Sequence, residues 1–184
     1  MSRTRLVILD RDGVINRDRR DYVKTPDEWI PLPGAVEAIV KLSLSGFTIA
    51  VATNQSGIGR GFYSLDTLSD MHDKMIQLVE QEGGAISDIR YCPHRPDEQC
   101  NCRKPLPAML QQIMQHFEVE DPSQVWMVGD SLRDLQAGEA AGTKLALVLT
   151  GNGKSTQRQL EIPGAPDGVE IFSSLKAFAD HMSR

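Results

Sequence analysis

Residues 6–9 read Leu-Val-Ile-Leu and run straight into Asp10-Arg11-Asp12-Gly13. Four apolar residues in a row are too few for a buried helix. A continuous apolar run bounded by charge marks a strand covered on both faces, where strict alternation would mark a strand with one wet face. Strands of that kind belong to α/β sheets, which bind ligands in the crevice beyond their carboxyl ends, so Asp10 and Asp12 are expected there. Taken alone, an Asp-x-Asp pair fits a solvated acidic turn as well as a metal or catalytic site.

Similar runs recur at 47–52, 88–91, 125–128 and 144–149, with a weaker one at 169–172. Helical periodicity fills the intervals at 34–45, 65–82, 107–117 and 131–141 and resumes from Ser173, with Gly46 and Gly83-Gly84 as stop signals. Residues 92–104 read as irregular, and Gly/Pro-rich loop is expected from 150 to 168. Strands alternating with helices at this spacing imply parallel β-α units in a three-layer sandwich, an α/β fold with a central parallel sheet. A length of 184 residues suits one domain, 1–184, carrying at most a small decoration.

A net charge of -5 and a pI near 5.4 argue against a broad surface for nucleic acid or acidic membrane. No apolar run approaches the ~20 residues that span a bilayer, and no signal-peptide core precedes the first strand. The expectation is a cytoplasmic monomer acting on a small molecule, with neither nucleic acid nor membrane as partner. The three cysteines fall between positions 92 and 102, poor evidence for disulfides and better evidence for a metal site in a reducing compartment.

Thr53-Asn54-Gln55-Ser56 follows the second strand, and glycines stand at 57, 59 and 61. A hydroxyl beside closely approaching backbone N–H groups makes an anion cradle, although Asn and Gly also simply make turns. Arg103-Lys104-Pro105 places positive charge ahead of a helix. Gly129-Asp130-Ser131 ends the fourth strand with another carboxylate, which an N-cap would equally explain. Asp10, Asp12 and Asp130 close together would raise one another's pKa values unless cations intervened, and Mg²⁺ with Lys104 would supply those cations. Asp134, one turn further, reads as an orienting group or an exposed helix acid.

Cys92-Pro93-His94 and Cys100-Asn101-Cys102 offer three sulfurs and one imidazole. Four protein ligands fit a closed structural Zn²⁺ site that would fold an otherwise core-poor loop; unrelated buried thiols are the alternative. His72, His116 and His181 lie on expected helices and read as surface or helix-packing residues.

In order, Asp-Arg-Asp-Gly, the Thr53 loop, Arg103-Lys104-Pro105 and Val128-Gly129-Asp130 resemble the four motifs of the haloacid dehalogenase-like (HAD) phosphohydrolases. The resemblance implies a HAD-like Rossmannoid fold, with Asp10 as nucleophile forming an aspartyl-phosphate and Asp12 as general acid and then base. It also implies that Thr53 and Lys104 hold the phosphoryl oxygens, and that Mg²⁺ is bound by Asp10, Asp130 and the carbonyl of Asp12. An acid at position 12 favours a phosphatase over a dehalogenase. The intervals 10–53 and 53–104 leave no room for a cap domain, so loops would select the substrate.

With its zinc loop the chain resembles the capless, histidinol-phosphate phosphatase-like subgroup. That implies a sugar bisphosphate as substrate, touched by Asn54, Gln55, Ser56, Arg103, Asp18 and Tyr22, with histidinol phosphate as the alternative. Arg60, or Arg19 and Arg20, could meet a second phosphate or merely pair at the surface. A phosphatase of nucleic-acid 3′ ends would need a basic groove that the acidic composition disfavours. A zinc-stabilised module that binds phosphate without turnover would be expected to have lost some of these residues, and all are intact.

Overall fold

A computed structural model describes residues 5–184. Its centre is one six-stranded, wholly parallel sheet in the order β3-β2-β1-β4-β5-β6. The strands are β1 (Leu6–Leu9), β2 (Thr48–Asn54), β3 (Asp88–Cys92), β4 (Trp126–Gly129), β5 (Lys144–Val148) and β6 (Val169–Phe172). The helices are α1 (Ala35–Leu44), α2 (Ser56–Gly59), α3 (Leu65–Gln81), α4 (Ala108–His116), α5 (Leu132–Ala141), α6 (Gly153–Gln159) and α7 (Leu175–Met182).

Strand side chains alternate between two separate cores, as the pleat requires. Val7, Leu9, Ile49, Val51, Trp126 and Val128 pack under α1, α3 and α7. Leu6, Ile8, Ala50, Ala52 and Met127 pack under α4 and α5. All four residues of β1 have no exposed surface, which is why that strand reads as an unbroken apolar run. The chain lays β2 and β3 on one side of β1 and then crosses to lay β4 on the other. The order therefore reverses at β1, and the crevice opens beyond the ends of β1 and β4.

Residues 10–34 form no cap. Asn16 bridges to Asp12 and to Pro31, and Trp29 is wholly buried in the core beside α1. Lys74 on α3 ties the segment down, donating to the carbonyls of Pro26 and Trp29 at 2.7 Å each.

Three elements differ from the sequence expectation. Ser56–Gly59 turns into one helical turn instead of loop, residues 122–124 form a 3₁₀ turn, and Gly153–Gln159 is a helix inside the stretch expected to be loop. That helix buries little beyond Gly153 and Thr156, so it carries no apolar stripe for periodicity to reveal. Thr156 is fixed by tertiary contact, its hydroxyl donating to the Asp130 carbonyl at 2.8 Å.

Candidate active site

Asp10 stands one residue past β1, its N–H donating to Val128 O at 3.0 Å, so the nucleophile candidate is clamped to the neighbouring strand. The Lys104 ammonium reaches it from the segment that follows the Cys/His loop. Nζ donates to Asp10 Oδ1 at 2.9 Å, to Ala52 O at 2.7 Å and to Asp134 Oδ1 at 2.7 Å, filling all three of its donor positions. Asn54 holds the Lys104 backbone with two bonds of 3.0 Å, one to its N–H and one to its carbonyl. Burial disfavours the ammonium, but the two carboxylates outweigh it and Lys104 is held well above its ordinary pKa.

Asp134 resolves into the orienting group of the two sequence readings. Its second oxygen accepts from Ser131 N–H, Ser131 hydroxyl and Asp130 N–H, a capping box at the start of α5. The carboxylate thus aims α5 and Lys104 together, and an exposed helix acid is excluded by its 1% exposure.

Oxygens of Asp10, Asp130 and Asp134 lie within 4.8 Å of one another. Burial, then Asp134, push Asp10 up to about 7 against the pull of Lys104; burial, then Asp10, push Asp130 up to about 8. Three carboxylates thus share one ammonium, a surplus of negative charge that suits a hard divalent cation. Asp134 is already spent on Lys104 and its cap, so Asp10 and Asp130 are the pair that fits Mg²⁺. Asp130 Oδ2 is steadied by Asn152 N–H at 2.7 Å and packs against Gly13. A Cβ at Gly13 would lie 2.2 Å from that oxygen, and Gly13 has φ +84°, so only glycine admits the carboxylate there.

Asp12 corrects the sequence expectation that all three acids drive one another up. Burial would raise it, but Arg11, Asn16 and Gln55 overcome burial and its carboxyl lies below the usual range. Arg11 Nη2 donates to Oδ1 at 2.9 Å, Asn16 Nδ2 to the same oxygen at 2.9 Å, and Gln55 Nε2 to Oδ2 at 2.8 Å. The chain brings its own counter-ion for Asp12 in the residue between the two aspartates.

These groups surround a cavity of about 360 Å³. Asp10, Asp12, Lys104 and Asp130 form its floor; Asp18, Tyr22, Asn54, Gln55, Ser56 and Arg103 also line it. Thr53 does not: it is wholly buried, its hydroxyl accepting from Gln55 Nε2 at 2.8 Å. Arg103 Nη1 is buried without a hydrogen-bond partner, and burial, then Arg133, push the guanidinium down, leaving a donor for an anion. Arg60 lies 6.0 Å over the Tyr22 ring at the rim, whereas Arg19 is held by Asp21 at 2.9 Å.

Cys92, His94, Cys100 and Cys102 converge as one cluster. Sγ of Cys92 lies 3.6 Å from Cys100 Sγ and 3.1 Å from Cys102 Sγ, and His94 Nδ1 lies 3.5 and 3.3 Å from the sulfurs of Cys92 and Cys102. Tetrahedral zinc with sulfur at ~2.3 Å sets its ligand atoms roughly 3.5–3.8 Å apart, so the donor set fits. Although burial opposes it, backbone N–H groups of Arg103 and Cys102 bring the Cys100 thiol down to about 7, which joins this knuckle to the stretch that presents Arg103 and Lys104.

Residues 101–177 match the HAD-hydrolase-like family model. Among curated relatives, the D-glycero-beta-D-manno-heptose-1,7-bisphosphate 7-phosphatase of Pseudomonas aeruginosa is 54% identical, over 97% of this chain and 97% of that protein. The enzyme of the same name from Neisseria meningitidis is 51% identical over 97% of this chain and 94% of its own. The chain belongs to the heptose bisphosphate phosphatase family. A crystal structure of D,D-heptose 1,7-bisphosphate phosphatase from Bordetella bronchiseptica, complexed with magnesium and phosphate, superposes with a TM-score of 0.93 at 47% identity, covering 97% of this chain and 98% of that one. The corresponding Burkholderia thailandensis structure gives 0.75 at 43% identity over 98% and 100%.

Several residues at or behind the cavity escaped the sequence reading. Arg11, Tyr63, His72, Asn152 and Arg133 approach the cavity or its floor. Arg11 had a signal, a charge inside a motif that otherwise ends a buried strand. His72, expected at the surface or in helix packing, is a buried residue of α3 and meets Arg11, Nη1 to Nε2 3.2 Å. His116 and His181 are the exposed packing residues expected, against Phe117 and Phe172.

Proposed function

We propose that the chain is a Mg²⁺-dependent phosphatase that removes the 7-phosphate of D-glycero-β-D-manno-heptose 1,7-bisphosphate in the synthesis of nucleotide-activated heptose for bacterial surface polysaccharide. The β-anomer follows the names of the relatives at 51 and 54% identity. The observation that carries the reading is that Asp10, Lys104 and Asp130 share the floor of one cavity whose wall holds a buried, unpartnered Arg103 donor.

Asp10 attacks phosphorus with the oxygen that Lys104 does not hold, forming an aspartyl-phosphate, and the heptose hydroxyl leaves. Asp12 gives the leaving oxygen its proton. The incoming phosphate dianion offsets Arg11 and moves Asp12 toward the protonated form that this step needs. In the second half Asp12 takes a proton from the water that attacks the acyl-phosphate. Lys104 offsets the charge of the phosphoryl group at the cavity floor, and Thr53, which does not line the cavity, accepts from Gln55. Asp10, Asp130 and the carbonyl of Asp12 would hold Mg²⁺, which neutralises phosphoryl charge when bound.

Arg103, with Asp18, Tyr22, Asn54 and Ser56, positions the sugar bisphosphate. Cys92, His94, Cys100 and Cys102 would hold a structural Zn²⁺, which would shape the substrate loop. The enzyme is taken to work in the cytoplasm as a monomer of one domain, 1–184; among the described residues no helix is long and apolar enough to cross a membrane.

The test is kcat/KM across both heptose bisphosphate anomers, fructose 1,6-bisphosphate and histidinol phosphate. The β-heptose substrate should rank first; histidinol phosphate ranking first would replace this reading.

A further inference from the structure

Gln55 lines the cavity and was expected to touch the sugar, yet its amide has no free valence. Oε1 accepts from the Tyr63 hydroxyl and from Arg11 Nη2 at 3.3 Å, and Nε2 donates to Asp12 Oδ2 and Thr53 Oγ1 at 2.8 Å each. The direction of every bond is forced. A guanidinium can only donate, so its three partners, Asp12 Oδ1, Gln55 Oε1 and His72 Nε2, must all accept. An ionised Asp12 can only accept, so the –NH₂ end of Gln55 must face it. Burial agrees with this polarity, since it drives His72 down to about 3, keeping it neutral, and Tyr63 up to about 12, keeping its proton.

The network is packed as tightly as it is bonded. Arg11, Gln55, Tyr63 and His72 are 1, 4, 9 and 7% exposed. A Cβ at position 57 would sit 2.3 Å from the Tyr63 ring, so Gly57 is what lets the ring lie under the Gln55 loop.

We infer that Gln55 is a positioning residue, its amide oriented by Tyr63 and Arg11 so that one N–H fixes the Asp12 carboxylate and the other occupies a lone pair of Thr53. Tyr63 and His72 act through Arg11 and Gln55. The inference rests on the phosphatase reading but not on the identity of the sugar.

p-Nitrophenyl phosphate has no sugar and no second phosphate, so it separates a positioning role from sugar recognition. Wild type, Gln55→Leu, Gln55→Glu and Tyr63→Phe would be compared on this ester and on the heptose bisphosphate, with thermal unfolding confirming the fold of each. Gln55→Leu and the near-isosteric Gln55→Glu, which lacks the two donors, should each lower kcat on both substrates by about a hundredfold, the scale of a misplaced catalytic group. Tyr63→Phe should lower kcat on both by about fivefold with KM little changed, as expected for one lost hydrogen bond. Folded Gln55 variants that hydrolyse p-nitrophenyl phosphate at the wild-type rate, while KM for the bisphosphate rises, would make Gln55 a sugar contact and overturn the inference. If Gln55→Leu does not fold, Gln55→Glu and Tyr63→Phe still decide it, and wild-type kcat in both refutes it. Failure of wild type on the heptose substrate alone would count against the substrate, not the network.

Discussion

Lys104 and Asp134 form a buried ion pair, Nζ to Oδ1 2.7 Å, with both side chains 2% exposed. The two lie 30 positions apart in sequence, and the pair exists because the segment after the Cys/His loop meets the start of α5. Since Asp134 also caps α5, it couples the helix start to the ammonium that faces Asp10. Removing one member of a buried pair leaves a charge uncompensated, at a cost of ~3–5 kcal/mol. Here Lys104 keeps Asp10, so Asp134→Asn should cost about 2–3 kcal/mol in urea unfolding and slow turnover. Unchanged stability would mean the pair is an ornament.

Elemental analysis should find about one zinc per chain, the stoichiometry of a four-ligand site. Cys100→Ser should lower zinc content and thermal stability together, because metal binding and folding of this loop are one equilibrium. A zinc-free protein of full stability would contradict the assignment.

EDTA should abolish phosphate release and added Mg²⁺ should restore it, since Asp10 and Asp130 otherwise lie with one ammonium among three carboxylates. Persistent turnover in EDTA would contradict that charge balance.

His72 ties stability to acid pH. Its folded pKa is depressed from 6.5 to about 3, so the unfolded chain takes up a proton first as pH falls, and stability is lost through that window. The slope should approach ~1.4 kcal/mol per pH unit between about 6 and 4. Asp10 and Asp130 shift the other way and are common to both proteins, so wild type minus His72→Gln isolates the histidine. The variant should show the flatter acid limb; parallel curves in urea titrations would show that His72 is not held neutral.

Sheet and motifs were legible because they depend on local pattern. A strand covered on both faces must be apolar throughout, and a strand end that carries chemistry must change abruptly to polar residues, so β1 and Asp10, Asp12 and Asp130 announced themselves. The Cys/His spacing did the same for the cluster of Cys92, His94, Cys100 and Cys102. What stayed hidden depends on contacts across long sequence separations. Arg11 against His72 spans 61 positions, Asn152 against Asp130 spans 22, and neither leaves a periodic trace. The lowered pKa of Asp12 was missed for a related reason: the count of acids was visible, but the folding of Arg11 back onto its neighbour was not. Helix α6 failed to appear because its buried face is Gly153 and Thr156 instead of an apolar stripe.

The claim on which the mechanism turns is that Asp10 itself carries the phosphoryl group between the two half-reactions. Rapid acid quenching during turnover, followed by mass analysis of the peptides, tests it directly. A phosphoryl adduct should be found on the peptide containing Asp10 and be missing in Asp10→Asn, which should also be inactive. Normal turnover in Asp10→Asn, or an adduct on another residue, would contradict the account.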